Sequence, residues 1–239
     1  MLLLRWSLRD LRRKWLQVTA IALVIAIGSG LFSALDGTAA WRYATNDASF
    51  GATGMYDLRV KSTAGLDTAQ GEMLAVLDRV ADTGEIIDAE ERLVVDTQVD
   101  ASTNTESIRV PGRIVGLDLT DNGPALTSVA VNGHGRTLTE TDTGTSTAVL
   151  ERNFAEYYGL SAPQRVTIGG GAQLDVVGIG MAPEYFFITS EDGGFFAEAN
   201  FAALFVSLET AQRLVGRPGR VNDLVIRTGP DTDVAKLQA

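Results

Sequence analysis

Cysteine is absent from the 239 residues, and histidine occurs once, as His134 in "NGHGR". Without thiols there is no disulfide to staple an exported domain and no thiol redox chemistry, so the fold must rest on an apolar core. A chain of this length can build one large or two small domains around such a core. One imidazole and no thiolate cannot assemble a zinc site of the ordinary kind. Between two glycines, His134 reads as a turn residue. No Gly-x-Ser-x-Gly precedes a helix, which argues against a hydrolase of that type. No Walker A sequence occurs, so this chain does not itself hydrolyse ATP. Gly169-Gly170-Gly171 lies between two strand patterns, with no Lys-Ser/Thr and no helix after it, and reads as a hairpin turn rather than a phosphate cradle. "GIG" at Gly178 to Gly180 lacks the rest of a dinucleotide fingerprint. Acid pairs such as Glu140/Asp142 and Glu191/Asp192 read as solvated loop charge. No catalytic, cofactor or metal site is expected, and the chain does not read as an enzyme.

Charge is missing locally as well. From Trp15 to Leu35, "WLQVTAIALVIAIGSGLFSAL", no charged residue occurs in 21 positions. As a helix this run is about 31 Å long, close to the hydrocarbon thickness of a bilayer. Arg5, Arg9, Arg12, Arg13 and Lys14 precede it against a single acid, Asp10. The other 225 residues hold 15 of the 20 bases and 29 of the 30 acids, a formal charge of −14. That asymmetry expects the N-terminus in the cytoplasm and the acidic bulk outside. It also argues against nucleic acid, whose phosphates an acidic surface repels. A cleaved signal peptide competes for the same segment, but its apolar core would be shorter and its small-x-small site closer than Thr38-Ala39-Ala40. Leu4, Leu8, Leu11 and Trp15 share one helical face, as in a helix lying on the inner membrane surface. Arg5, Arg9, Arg12, Arg13, Lys14 and Trp15 are therefore the expected membrane-interface residues, and the bilayer is the first expected partner.

Beyond the span, periodicity gives an α+β fold. Residues 1–14 form the basic segment, 15–35 the transmembrane helix and 36–55 a connector. Residues 56–101 begin with a strand, Tyr56 to Thr63, and a helix from Leu66 to Val80 capped by Asp67 or Thr68. Arg92 to Val99 and Ser107 to Leu119 read as further strands. Residues 102–220 are strand-rich. They carry a strand at Thr147 to Leu150, a helix with Phe154 and Tyr158, a hairpin over 166–177 and a helix near Ser207. Residues 221–239 repeat the opening pattern: "YDLRVKSTAGLDTAQGEMLA" and "NDLVIRTGPDTDVAKLQA" both run from Asp-Leu through a strand and a Gly break to Asp-Thr and a helix. Two such units suggest a split β-α-β layer with the strand-rich subdomain inserted between its halves, the last strand joining the first.

Six of the nine phenylalanines cluster within twenty residues. Tyr185, Phe186, Phe187, Phe195, Phe196, Phe201 and Phe205 could form an apolar interaction surface for lipid, lipoprotein or a partner. The alternative is that these rings fill the core of the inserted subdomain.

A basic N-terminus and one span precede an outer domain carrying "AVLERNFAEYYGL", "VTIGGGAQLDVVGIGMAPEYFFI" and "VNDLVIRTG". This arrangement resembles the extracytoplasmic core domain of FtsX/MacB-like ABC-transporter permeases. The best local match is Val177, Gly178 and Ile179 with Pro183 to Tyr185. The departure is Ser161-Ala162-Pro163-Gln164, where the family usually has Gly-Asp. The resemblance implies a permease subunit in the cell membrane that pairs with a cytoplasmic ABC ATPase subunit and with a second permease subunit or half. Its outer domain would couple ATP-driven motion to the handling of lipid, lipoprotein or peptide, with no cofactor. It further implies a chain that stops before the rest of the split layer and the second span. The rival expectation is a complete single-pass, membrane-anchored binding or adaptor protein.

Overall fold

The computed structural model describes residues 13–63, 66–80, 86–124, 126–131, 133, 135–186, 200–230, 232 and 234. It has two compact units, Met1–Ser49 and Phe50–Ala239.

Helix α1 (Trp15–Thr53) is 39 residues long, or about 58 Å at the helical rise; it makes up the described helical part of the first unit, and its last four residues, from Phe50, belong to the second. Ile21, Val24, Ile25, Leu31 and Phe32 are all exposed on it. Among the described residues it is the one helix long and apolar enough to cross a membrane. Two of its hydroxyls bond back to the preceding turn, Ser29 to the Ile25 carbonyl at 2.8 Å and Thr38 to that of Ala34 at 2.7 Å, so these two carry no unmet donor into an apolar medium. Residues 36–53, expected as a connector, continue the helix. A nucleated helix adds one hydrogen bond per residue, and no proline stands in this stretch to stop it. It ends at Gly54, where φ is +65°, and the Met55 N–H bonds back to the Phe50 carbonyl at 2.9 Å. That closure needs a left-handed residue, which glycine supplies at little cost.

The second unit is built around one long strand, β3 (Ile86–Asp100). Its second half pairs with β4 (Arg109–Leu117), which pairs with β8 (Ala202–Ser207), then β5 (Thr147–Glu151), β7 (Gln173–Gly180) and β6 (Gln164–Ile168). β6 returns to β3 through Val99↔Ile168 and Asp100↔Thr167, so six strands close into a barrel. Strand alternation sends one set of side chains inward. Leu93, Ile114, Leu150, Val166, Val176 and Leu204, one from each strand, are buried in a single cluster. Each contributes about 1.5–3 kcal/mol by leaving water. The interior is tight: a Cβ on Gly112 would sit 2.5 Å from the Ala202 carbonyl oxygen and 2.6 Å from Val99 Cγ2. The opposite phase of β4, β5 and β8 makes a second cluster outside the barrel, with Val115, Val149 and Phe205.

The first half of β3 leaves the barrel and pairs antiparallel with β10 (Asp223–Thr228), which pairs antiparallel with β1 (Leu58–Lys61). The last strand thus joins the first. The partner switch falls between Arg92 and Leu93, within β3, so barrel and extension share a continuous backbone. Helix α2 (Glu72–Val80) covers one face of the extension over Leu58, Leu224 and Ile226. It begins at Glu72, later than the Asp67/Thr68 cap expected, because Thr68–Ala69 (β2) pairs with Arg220–Val221 (β9). Its N-terminus is capped from β3: the Glu91 carboxylate accepts from the Met73 and Leu74 N–H groups at 2.9 and 3.1 Å, and from that of Gly71. The expected strand Val221 to Thr228 is interrupted at Asn222, whose side chain pairs with both backbone groups of Val94 at 2.8 Å. α3 (Arg152–Tyr157) starts on the buried Glu151, which accepts from Asn153 and Phe154 N–H at 2.8 and 2.9 Å. α4 (Leu208–Leu214) starts on Ser207, which accepts from Thr210 N–H.

Candidate functional site

On the face of β1, β10 and β3 opposite α2, the apolar covering runs out and a polar cluster takes its place. The register sets Asp223 between Lys61 on β1 and Arg92 on β3. Arg92 is 0% exposed, a rare state for a guanidinium. It makes five hydrogen bonds. Nε and Nη2 donate to Asp223 Oδ2 at 2.8 and 2.6 Å, Nη1 and Nη2 to the two Glu184 oxygens at 2.8 and 3.2 Å, and Nη1 to Thr127 Oγ1 at 3.1 Å. A guanidinium has five N–H donors, so none is left unmet. Arg59 closes the cluster from β1, with Nε 2.6 Å from Asp223 Oδ1 and Nη1 3.7 Å from Glu184 Oε2. The Tyr56 hydroxyl donates to Glu184 at 3.2 Å, and its ring lies 5.6 Å from the Arg92 guanidinium carbon. Two cations meet two anions, and the fully buried cation, Arg92, has every donor filled, the condition under which an ionised group persists in low dielectric. Burial opposes charge on Arg92, and Glu184 and Asp223 outweigh it, holding the guanidinium above its ordinary pKa. Burial, then the Glu184 charge, pushes the Tyr56 hydroxyl up.

The cluster holds no nucleophile and no uncommitted base; it is a clamp. Its members come from five separate parts of the chain: the segment after α1 that runs from Tyr56 into β1, β3, the loop at Thr127, the turn Pro183–Tyr185 and β10. It reaches the end of α1 through Thr127. The Thr127 and Ser128 N–H groups donate to the Gly54 and Thr53 carbonyls, each at 2.9 Å. Thr127 takes φ +51°, a conformation a β-branched residue seldom adopts, held here by these bonds and by Arg92. Glu90, two residues before Arg92 on the same strand phase, is also buried and accepts from the Leu126 N–H at 3.2 Å. Burial pushes its carboxyl up to about 7, against the opposing Leu126 hydrogen bond and Arg92 charge.

The aromatic group expected as an interaction surface is divided. Tyr185, Phe201 and Phe205 are buried, which corrects that expectation for these three. They pack on the outer barrel cluster, Tyr185 edge-on to Phe205 with centroids 5.4 Å apart and Phe201 beneath Arg113 at 5.6 Å. Burying large rings against β4 and β8 is worth more than displaying them. Phe186 is partly exposed and stacks on Phe50 at 5.7 Å. Phe187, Phe195 and Phe196 lie outside the described residues, as do Arg5, Arg9, Arg12, His134 and the Glu191/Asp192 pair. Arg13, Lys14 and Trp15 are exposed at the start of the described helix. Of the acid pair Glu140/Asp142, Asp142 is a buried structural residue. The side-chain bonds from Arg136 lead the influences that hold its carboxyl well below the usual range. Among the described residues, no group of three or more His, Cys, Asp or Glu is placed to hold a metal ion.

Residues 18–239 match the MacB-like periplasmic core domain. The chain belongs to that family. MacB-like domains are parts of ABC-transporter permeases, which are not classical enzymes and which draw on an ATPase in a partner subunit. A MacB-like domain joined to one apolar helix fits a membrane-anchored, extracytoplasmic setting. Among solved structures, the chain is similar to the periplasmic region of MacB from Actinobacillus actinomycetemcomitans, at 10% identity over 75% of this chain and 77% of that one, with a TM-score of 0.46. It is also similar to the extracellular domain of the noncanonic ABC-type transporter YknZ from Gram-positive bacteria, at 14% identity over 76% and 85%, with a TM-score of 0.43. No curated protein matches the sequence.

The sequence did not single out Arg92, Glu184 or Asp223 of this MacB-like domain as functional. The signal present was indirect: Glu184 and Asp223 fall in "PEY" and "VNDLVIRTG", two of the stretches that carried the family resemblance.

Proposed function

We propose that this chain is a membrane-spanning part of an ABC-transporter permease, with its N-terminus in the cytoplasm and the unit Phe50–Ala239 outside. In this reading a cytoplasmic ATPase drives motion of α1, and the outer domain passes that motion to lipid, lipoprotein or peptide. A second permease subunit or half would complete the transporter. Family membership supports the permease role. The observation that supports coupling is the chain of bonds from the last turn of α1, through Thr53 and Gly54, to Thr127 and so to the Arg92 cluster. A helix end fastened to a buried ionic cluster shared by β1, β3 and β10 would move those strands with it.

The absence of cysteine makes the test clean. Thr105→Cys, on an exposed loop, is expected to react with a membrane-impermeant maleimide in intact cells, whereas Arg13→Cys reacts only after lysis. The reverse pattern would overturn the orientation. Purification of the intact protein in detergent is expected to bring an ATPase with it. Repeated isolation without one would leave the single-pass binding or adaptor protein as the better reading.

A further inference from the structure

We propose that a cleft beside the arginine–carboxylate cluster binds a phosphate group, with Arg59, Lys61 and Arg113 as its donors. The cleft has a volume of about 270 Å³ and is lined from β1, β3, β4 and the β9–β10 junction. That equals about nine water volumes, so a phosphate fits with a substituent still attached. In a chain of net charge −10, three cations line this one hollow. Its two lining carboxylates are already engaged: Asp96 lies 2.7 Å from Arg113 Nε, and Asp223 is shared between Arg59 and Arg92 at 2.6 Å each.

The same contacts fix how the cations are presented. Arg59 and Arg113 are each held through Nε by a carboxylate, and Arg113 is braced over the Phe201 ring at 5.6 Å. A guanidinium fixed in this way loses little freedom when its remaining N–H groups meet a ligand. Lys61 stands opposite Asp223 in the register, but both oxygens of Asp223 are taken by arginines. Among the described residues Lys61 has no ion-pair partner, while Arg59 and Arg113 do. Two guanidiniums held through Nε and one exposed ammonium without an ion-pair partner among the described residues suit a tetrahedral oxyanion, which accepts from several directions, better than a planar carboxylate. The inference rests on the chemistry of the cleft and stands apart from the permease reading.

The test is calorimetric titration of the full chain in detergent micelles with three probes: inorganic phosphate, glycerol 3-phosphate and dihexanoyl phosphatidylglycerol. Saturable binding is expected. Lys61→Gln should weaken it about tenfold, the loss of one charge-assisted hydrogen bond, with an unchanged circular dichroism spectrum. Arg113→Gln should weaken it at least as much. Tighter binding of the phosphatidylglycerol than of both soluble probes would identify a lipid headgroup as the source; equal or weaker binding would identify a soluble phosphate compound. No saturable heat with any probe, or parental affinity in both variants, would overturn the proposal. Lys61 is exposed and lies outside the Arg92 cluster, so Lys61→Gln remains a fair test if Arg113→Gln fails to fold.

Discussion

Arg92 shows how much one side chain can depend on its neighbours. With its five bonds in place the buried charge is tolerated; with Arg92 removed, Glu184 and Asp223 retain Arg59 as their one cation among the described residues, with the Tyr56 hydroxyl still on Glu184. Breaking such a buried set costs about 3–5 kcal/mol. Arg92→Met should therefore lower the melting temperature by roughly 6–20 °C for a domain of this size. Arg92→Lys should fall between, because an ammonium cannot serve both carboxylates with a fork. Thermal melting followed by circular dichroism decides it. Glu90 makes the opposite case, a buried acid whose proton is held more tightly by the folded state. In the folded state its carboxyl is pushed up to about 7 from an ordinary 4.5. Burial does most of this, Asp118 and Asp88 add to it, and the Leu126 N–H and Arg92 oppose it. Between pH 4.5 and 7 the folded state holds more protons than the unfolded one, so stability from this group falls as pH rises through that window. Glu90→Gln should keep the hydrogen bond from Leu126 and remove the titration. It should stabilise the domain at pH 8 by up to roughly 3 kcal/mol and change little at pH 4.5, as measured by urea unfolding at both pH values.

Among the elements, β3 has the widest role, since its 15 residues serve two structures. Beyond Leu93 it is a barrel stave; before it, a strand of the open extension. Its two faces also differ. Leu93 and Val99 face the barrel core, Glu91 caps α2, and Glu90 and Arg92 lie on the other side. The neighbouring β4 pays for closure with glycine. Gly112→Ala would push a methyl group to 2.5 Å from a backbone oxygen of β8, which cannot move without breaking the β4–β8 ladder. A loss of about 1–3 kcal/mol is expected. The same substitution at Gly51, in α1, meets nothing within 4 Å and should be neutral or mildly favourable, since alanine is the better helix former. Comparing the two variants by chemical unfolding separates crowding from propensity.

At the scale of the whole molecule, the claim of a membrane anchor rests on α1. Val24 is 71% exposed near the middle of its uncharged run. Val24→Asp would place a charge at mid-bilayer, at a cost of about 2.5–3.5 kcal/mol on insertion scales, and should reduce the membrane-bound fraction on cell fractionation. A variant recovered wholly in membranes would contradict the assignment. The sequence alone determined the long apolar helix, the strand and helix periods, the hairpin at Gly169 to Gly171 and the pairing of last strand with first. Each of these is written in local spacing or composition, which the chain carries whatever its surroundings. Tertiary structure decided the rest. The barrel closes through two residue pairs, Val99↔Ile168 and Asp100↔Thr167, about seventy positions apart. α2 begins where Glu91 reaches it, and Arg92, Glu184 and Asp223 become one cluster only when two strands and a turn converge. A charged residue in a strand pattern looks the same whether it meets water or a buried counter-charge, because the difference lies in what the fold brings against it.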